Sequence, residues 1–339
     1  MSHRERSPDS SSDPLTPFTK PAAVLTPPPF PKAQSKAFTS VLHQIERFAR
    51  HDSVRILLEG ESGTGKNWLA RHAHNCSRRA GIVIQETSLA TIVDALAASE
   101  LFGHERGAFT DAHTRRNGAF QSANHSTLLI DEVGKASLPV QKLLLRAVEE
   151  GIITPLGSDR TIEVDVRLIF ASNVSLRSLV AEQLFLPDLL ARFGQFRIQL
   201  PPLRERSEDI PDLARYFLAR HAQRDGYSIG LPTIHPELMT ALEQAEWLFN
   251  LRELDEVMHR LLVEADSGAQ VTFEHCVGDL DHLRVHGRGR PTKSSSESVA
   301  AAVKRTGSIS GAARALGISR SSVYRKLAKG AAKKPPTKQ

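Results

Sequence analysis

The chain has little cysteine: Cys76 and Cys276, 200 positions apart, are its only two. That count excludes a disulfide framework and points to a reducing cytosol. No apolar run approaches the roughly 20 residues of a membrane-crossing helix. The opening Met-Ser-His-Arg-Glu-Arg lacks the apolar stretch of a secretory signal, so a cytoplasmic protein with no membrane partner is expected. Acids are almost missing from Arg284 onward, where fourteen Lys and Arg face the single acid Glu297. The tail therefore carries +13 of a net +6, leaving −7 on the rest. A mildly acidic body with a basic tail predicts that the tail meets a polyanion. What is present, 40% apolar and 24% charged residues over 339 positions, describes a soluble chain of two or three domains.

Residues 1–36 are rich in proline and serine and read as a disordered leader. Helical spacing begins with Phe38, Val41, Ile45 and Phe48. Buried parallel strands are expected at Val54–Glu59, Gly81–Glu86, Thr127–Ile130 and Val166–Ala171, with helices at Lys66–Arg79 and Leu138–Glu150 between them. This alternation predicts an α/β unit over 37–201, a parallel sheet with flanking helices. Only helical spacing follows, giving a small helical unit at 202–280. A basic linker (281–297), a short all-α unit (298–330) and a basic tail (331–339) complete the chain. His72, His74 and Cys76 do not share one helical face, so no metal site is expected there, and Cys76 reads as a small buried residue.

Gly60-Glu61-Ser62-Gly63-Thr64-Gly65-Lys66 fits G-x-x-x-x-G-K between an expected strand and an expected helix. Glycines let backbone N–H groups close around phosphates, the helix N-terminus adds positive potential, and Lys66 would bridge the outer phosphates. Asn67 follows where a Mg²⁺-binding Ser or Thr is usual. Asp131 and Glu132 lie 65 and 66 positions after Lys66, at the end of an apolar strand. Buried acids are costly there unless used; Asp131 would hold Mg²⁺ and Glu132 would polarise water. ATP and Mg²⁺ are the expected ligands.

The run Glu100-Leu101-Phe102-Gly103-His104-Glu105-Arg106-Gly107-Ala108-Phe109-Thr110-Asp111-Ala112 resembles the signature loop of sigma-54-dependent transcriptional activators, the AAA+ ATPases also called bacterial enhancer-binding proteins. The resemblance runs from about Phe38 to Asp266 and includes Pro201–Arg206, Asp209-Ile210 and Leu251–Leu254. It implies an AAA+ domain with a helical lid, ATP hydrolysis by a homo-oligomeric ring, usually a hexamer, and remodelling of sigma-54 RNA polymerase at a closed promoter. It further implies that Asn173 is a first sensor of the γ-phosphate, Arg252 a second sensor on the lid, and Arg192 a trans-acting arginine. Phe109 and Thr110 would touch sigma-54. The chain departs from the family at Asp111, where a glycine is usual, at Ser88, where an asparagine restrains the catalytic glutamate, and at Leu186, where a second arginine is usual. Leu248-Phe249 replaces Pro-Gly, and Asn67 stands where glutamate is more usual.

Ile309, Ala312, Ala313 and Leu316 mark one helix, Gly317 a turn, and Ser319 the N-cap of the next. The pattern resembles the Fis-type helix-turn-helix. It implies that Arg320, Ser321, Ser322 and Arg325 face the major groove of double-stranded DNA and that Lys326 sits on phosphate. Arg288–Pro291 matches the short core of an AT-hook but reads as ordinary basic linker. The expected function is ATP-dependent activation of sigma-54 transcription without an N-terminal sensory domain. The alternative is a DNA-binding regulator with impaired ATPase that modulates a related activator by mixed assembly.

Overall fold

The computed structural model describes residues 30–90, 94–193, 195–225, 233–265, 271–272 and 303. The first helix, α1 (Lys36–Ala49), starts where the Ser35 hydroxyl accepts from Phe38 N–H at 3.3 Å. It buries Phe38, Val41, Ile45 and Ala49, one stripe at helical spacing. The chain then runs β1 (Ile56–Glu59), α2 (Lys66–Asn75), β2 (Gln85–Ser88), α3 (Asp94–Phe102), β3 (Gly103–His104), β4 (Arg116–Asn117), α4 (Ala119–Ser122), β5 (Thr127–Asp131) and α5 (Leu138–Glu150). After β6 (Ile152–Ile153), β7 (Ile162–Glu163) and β8 (Arg167–Ser172) come α6 (Leu176–Ala181), α7 (Pro187–Phe193) and β9 (Phe196–Gln199).

Five strands form one sheet in the order β2-β5-β8-β1-β9, all pairings parallel. Alternate side chains face opposite layers, as strand geometry requires. Leu58, Leu129, Ile169 and Ala171 pack with α1 and α2, whereas Leu57, Leu128, Ile130, Leu168 and Phe170 pack toward α3, α5 and α7. Phe170 and Phe193 stack at 3.7 Å on that second side. Buried Arg167 donates to the carbonyls of Ala49 (2.8 Å) and Phe48 (3.3 Å), satisfying the C-terminal end of α1.

Several expectations need correction. The strand placed at Gly81–Glu86 begins only at Gln85, and it is an edge strand whose residues alternate half-buried and exposed, with Ile82 and Val83 exposed before it. The helix expected to reach Arg79 stops at Asn75. Cys76 is exposed, because it caps that helix beyond the buried stripe. His72 and His74 point apart, toward Glu46 and toward Thr127 and Ile82, and no metal-ligand cluster occurs among the described residues. A fifth strand, β9, was not expected.

The helical unit comprises α8 (Ile210–Arg224), α9 (Pro236–Gln244) and α10 (Asn250–Glu264) around Leu213, Phe217, Leu242, Trp247, Met258 and Leu261. It is not wholly helical, since Ile234 bridges Val271. The leader expected over 1–36 is ordered at its end. Phe30 packs 4.3 Å from the Trp68 ring, and buried Ser35 binds the carboxylate of Asp209. The linker, the all-α unit, the tail, the DNA-facing residues and Arg288–Pro291 lie outside the described residues, apart from Val303.

Asp209 accepts from Gln34 N–H (2.6 Å), Ser35 N–H (2.8 Å) and the Ser35 hydroxyl (2.7 Å), and its charge faces buried Arg206. Asp209→Ala removes the carboxylate charge that offsets that buried guanidinium and strips the Gln34 and Ser35 donors of their acceptor. The expected cost is about 3–5 kcal/mol, read as a Tm loss on the order of 10 °C by thermal unfolding. Asp209→Asn, which keeps the acceptor, should lose less.

Candidate nucleotide site

Three neighbouring strands end at one edge of the sheet. β1 runs into Gly60–Gly65, β5 into Asp131-Glu132 and β8 into Asn173, with Glu59 opposite Ser172 in register. Gly60 N–H donates to Ser172 O at 3.2 Å and ties the first loop to β8. Gly63 and Gly65 have φ +77° and +103°, which favour glycine, and a Cβ on Gly63 would lie 2.1 Å from the Phe249 carbonyl oxygen.

Lys66 opens α2 and is buried. Its ammonium donates to the carbonyls of Gly60 (2.8 Å) and Glu61 (3.0 Å). Burial holds its pKa below the ordinary lysine value, Asp131 and Glu132 oppose that shift, and Arg252 adds to it. Lys66 and the three side chains whose charges it feels make up one group. They line a cleft of about 390 Å³ together with Ser62, Gly63, Gly65 and Asn67. Phe30, Trp68 and Tyr216 form its aromatic side, with Phe30 and Tyr216 edge to face at 5.3 Å. Arg252 reaches down from α10, its Nη1 3.4 Å from the Ser62 hydroxyl. The Thr64 hydroxyl turns back onto Glu61 O at 2.8 Å.

Glu61 belongs to the glycine loop, but it does not line the cleft. Its carboxylate turns away to the helical unit, accepting from both Arg204 nitrogens (2.8 and 2.6 Å) and from Asn250 (3.2 Å). The Arg204 hydrogen bonds are the main cause that holds its pKa down at about 2. The sign follows: the clasp is complete above the ordinary glutamate range and is lost as pH falls through about 2. Carboxyl NMR should give a Glu61 midpoint near that value, and Arg204→Ala should return it toward the ordinary 4.5.

Sequence reasoning missed the residues that join the two units. Asn250, fully buried, accepts from Leu203 N–H (2.7 Å) and donates to Ser62 O (2.9 Å), and Leu251 N–H donates to Gly63 O (2.9 Å). Buried Arg206 donates to Thr64 O at 2.7 Å and lies 4.4 Å over the Phe38 ring. Burial pushes its pKa down to about 10. The runs Pro201–Arg206 and Trp247–Asn250 were the signals available. Phe249 has φ −107°, so this turn does not require glycine there.

Asn173 follows β8 at the same edge, but it does not line the cleft; nor does Arg192. Arg192 is half-exposed on α7 and pairs with Glu149 of α5 at 2.8 Å. Leu186, by contrast, packs against the core. Phe109 and Thr110 sit in the loop between β3 and β4, closed by Gly107 N–H to Ala112 O (2.8 Å) and Ala112 N–H to Phe109 O (2.9 Å). The Phe109 ring meets His104 edge to face at 4.9 Å, while Thr110 and Asp111 are exposed. Asp111 is not among the positive-φ residues, so its Cβ brings no left-handed strain.

A parallel sheet with helices on both sides, a glycine loop at a strand end and a helical lid over it define an AAA+ P-loop protein. The chain matches the sigma-54 interaction domain over residues 32–199, the AAA+ ATPase lid domain over 204–289 and the bacterial regulatory protein, Fis family, over 297–330. It belongs to the family of sigma-54-dependent transcriptional activators. It is 38% identical over 303 residues to the transcriptional regulatory protein ZraR of Klebsiella oxytoca, covering 87% of this chain and 68% of that one. The DNA-binding transcriptional regulator NtrC of Salmonella typhimurium strain LT2 is 42% identical over 73% of this chain and 52% of its own length. The formate hydrogenlyase transcriptional activator of strain SL1344 is 44% identical over 68% of this chain, which spans 33% of that relative. The crystal structure of NtrX from Brucella abortus in complex with ATP superposes with a TM-score of 0.67 at 29% identity, covering 88% of this chain and 68% of that one. No described helix is long and apolar enough to cross a membrane.

Proposed function

We propose that this chain binds ATP with Mg²⁺ in the cleft and hydrolyses it as a subunit of a ring, usually a hexamer in the family. It then uses the Phe109-Thr110 loop to remodel sigma-54 RNA polymerase at a closed promoter. The observation that carries this reading is the convergence of Lys66, Asp131, Glu132 and Arg252 on one cleft.

The residues fit a divalent cation. One Asp131 oxygen accepts from Glu132 N–H at 2.8 Å, which leaves the other, on the cleft wall, for a cation. Asp131 would be the main protein ligand, because Asn67 replaces the usual hydroxyl after Lys66. Bound there, Mg²⁺ would offset phosphate charge. The chain's own residues do the rest. Lys66 and Arg252 place positive charge on the outer phosphates, and Asn173, outside the cleft lining but at the same strand ends, would turn in to read the γ-phosphate. Glu132 orients a water and takes its proton. The water oxygen forms a bond to the γ-phosphorus as the bond to the β–γ bridging oxygen breaks, and that electron pair leaves with ADP. DNA binding falls to residues 297–330, with Arg320, Ser321, Ser322, Arg325 and Lys326 toward the duplex.

The test is ATP turnover by the full chain across a range of protein concentrations, followed by promoter opening with sigma-54 polymerase. Turnover per subunit should rise steeply with concentration, and promoter opening should require hydrolysable ATP. Nucleotide binding without turnover at any concentration would overturn this reading in favour of a DNA-binding regulator acting through mixed assembly.

A further inference from the structure

We infer that Lys135 is a positioning residue for hydrolysis, holding Glu132 in an ion pair that must open before Glu132 can take a proton from water. The inference rests on the proposed role of Glu132. Glu132 directly follows β5 in a left-handed backbone conformation, φ +56°, its N–H fastened to Asp131. Lys135 N–H then donates to Glu132 O at 2.9 Å, closing a turn that folds residue 135 back over residue 132. The Lys135 ammonium stands 3.2 Å from Glu132 Oε2, approaching off the hydrogen-bonding direction. It is the one ion-pair partner of Glu132 among the described residues.

Among the described residues, Ser88 does not restrain Glu132 from the neighbouring strand. Ser88 lies opposite Asp131 in the β2–β5 register, but its hydroxyl accepts from Ala90 N–H at 3.4 Å. Exposure makes the pair asymmetric. The Glu132 side chain is 16% exposed and that of Lys135 48%, so the ammonium can swing into solvent while the carboxylate stays in place. Lys135 does not line the cleft, so opening the pair changes the base without touching the phosphates. With the ammonium against Oε2, that oxygen is not open to a water, so the pair has to open first, and a half-exposed pair of this kind changes an equilibrium by about two- to fivefold.

Steady-state ATP hydrolysis by the full chain at saturating protein tests this, with K135Q, K135R, E132Q and the double variant K135Q/E132Q. K135Q should raise kcat about two- to fivefold with KM for ATP unchanged, and K135R should keep the wild-type rate. A purely structural role for Lys135 would not raise kcat at constant KM. E132Q and the double variant should bind nucleotide without turnover. A K135Q kcat equal to or below wild type, with E132Q inactive, would overturn the latch alone. Wild-type turnover by E132Q would instead overturn the role of Glu132, and the latch with it. If the wild type is silent, appearance of turnover in K135Q supports the latch, and silence of both variants refutes it.

Discussion

Replacing Arg192 with alanine is expected to cut ATP turnover by about 10³–10⁵ while each subunit still binds nucleotide. The structure motivates this size. Arg192 lies on α7, pairs with Glu149 and does not line its own subunit's cleft. It therefore contributes nothing to that cleft directly, and its half-exposed guanidinium could serve the neighbouring cleft in the proposed ring. It also has less support than the family usually provides, because Leu186 is packed into the core where a second arginine would stand. The decisive measurement mixes two inactive proteins, R192A and K66A. A subunit with intact Lys66 then gains an intact Arg192 from its neighbour, and turnover should partly return. If R192A alone keeps wild-type turnover, the trans role is wrong, and Arg192 is only the partner of Glu149.

Lys66→Ala should lower turnover by about 10²–10³ and weaken ATP binding in the same titration. Lys66 is buried beside two carboxylates, and burial already disfavours its charge. A cation kept at that cost is doing more than packing, since alanine would satisfy the volume of a helix start. Its ammonium meets only loop carbonyls, Gly60 and Glu61, which a phosphate oxygen can replace without rebuilding the loop. Lys66→Arg should not rescue it, because a planar fork does not fit a site shaped for a point charge. Undiminished ATP binding by K66A would remove the phosphate-bridging role.

Much of the catalytic edge could be read from residues close in sequence. The glycine loop and Lys66 follow a buried strand, and the acids end another, so each carries its own local signal. Helix α5 was legible to the residue because Ser137, Pro139 and left-handed Gly151 mark its ends. Other features depended on partners far along the chain. Apolar Ile82 and Val83 imitate a buried strand, yet the sheet edge begins beyond them. In β9, Arg197 interrupts the apolar pattern, and only its ion pair with buried Glu59 of β1 accounts for it there. The order of Phe30 and Ser35 was hidden among prolines, because Tyr216 and Asp209 supply their contacts. The turn of the Glu61 carboxylate toward the helical unit followed from Arg204 and Asn250, more than 140 positions away.

The fastening of Asn250 and Leu251 to the glycine loop makes α10 a lever with its pivot at that loop. Fifteen residues of helix reach about 22 Å, so a tilt of about 5° at the loop displaces the far end by about 2 Å. From that end the chain continues toward the segment that matches the Fis family. A change in loop shape when phosphate departs would thus be magnified along a rigid rod, linking the chemistry to the angle at which the chain leaves the lid.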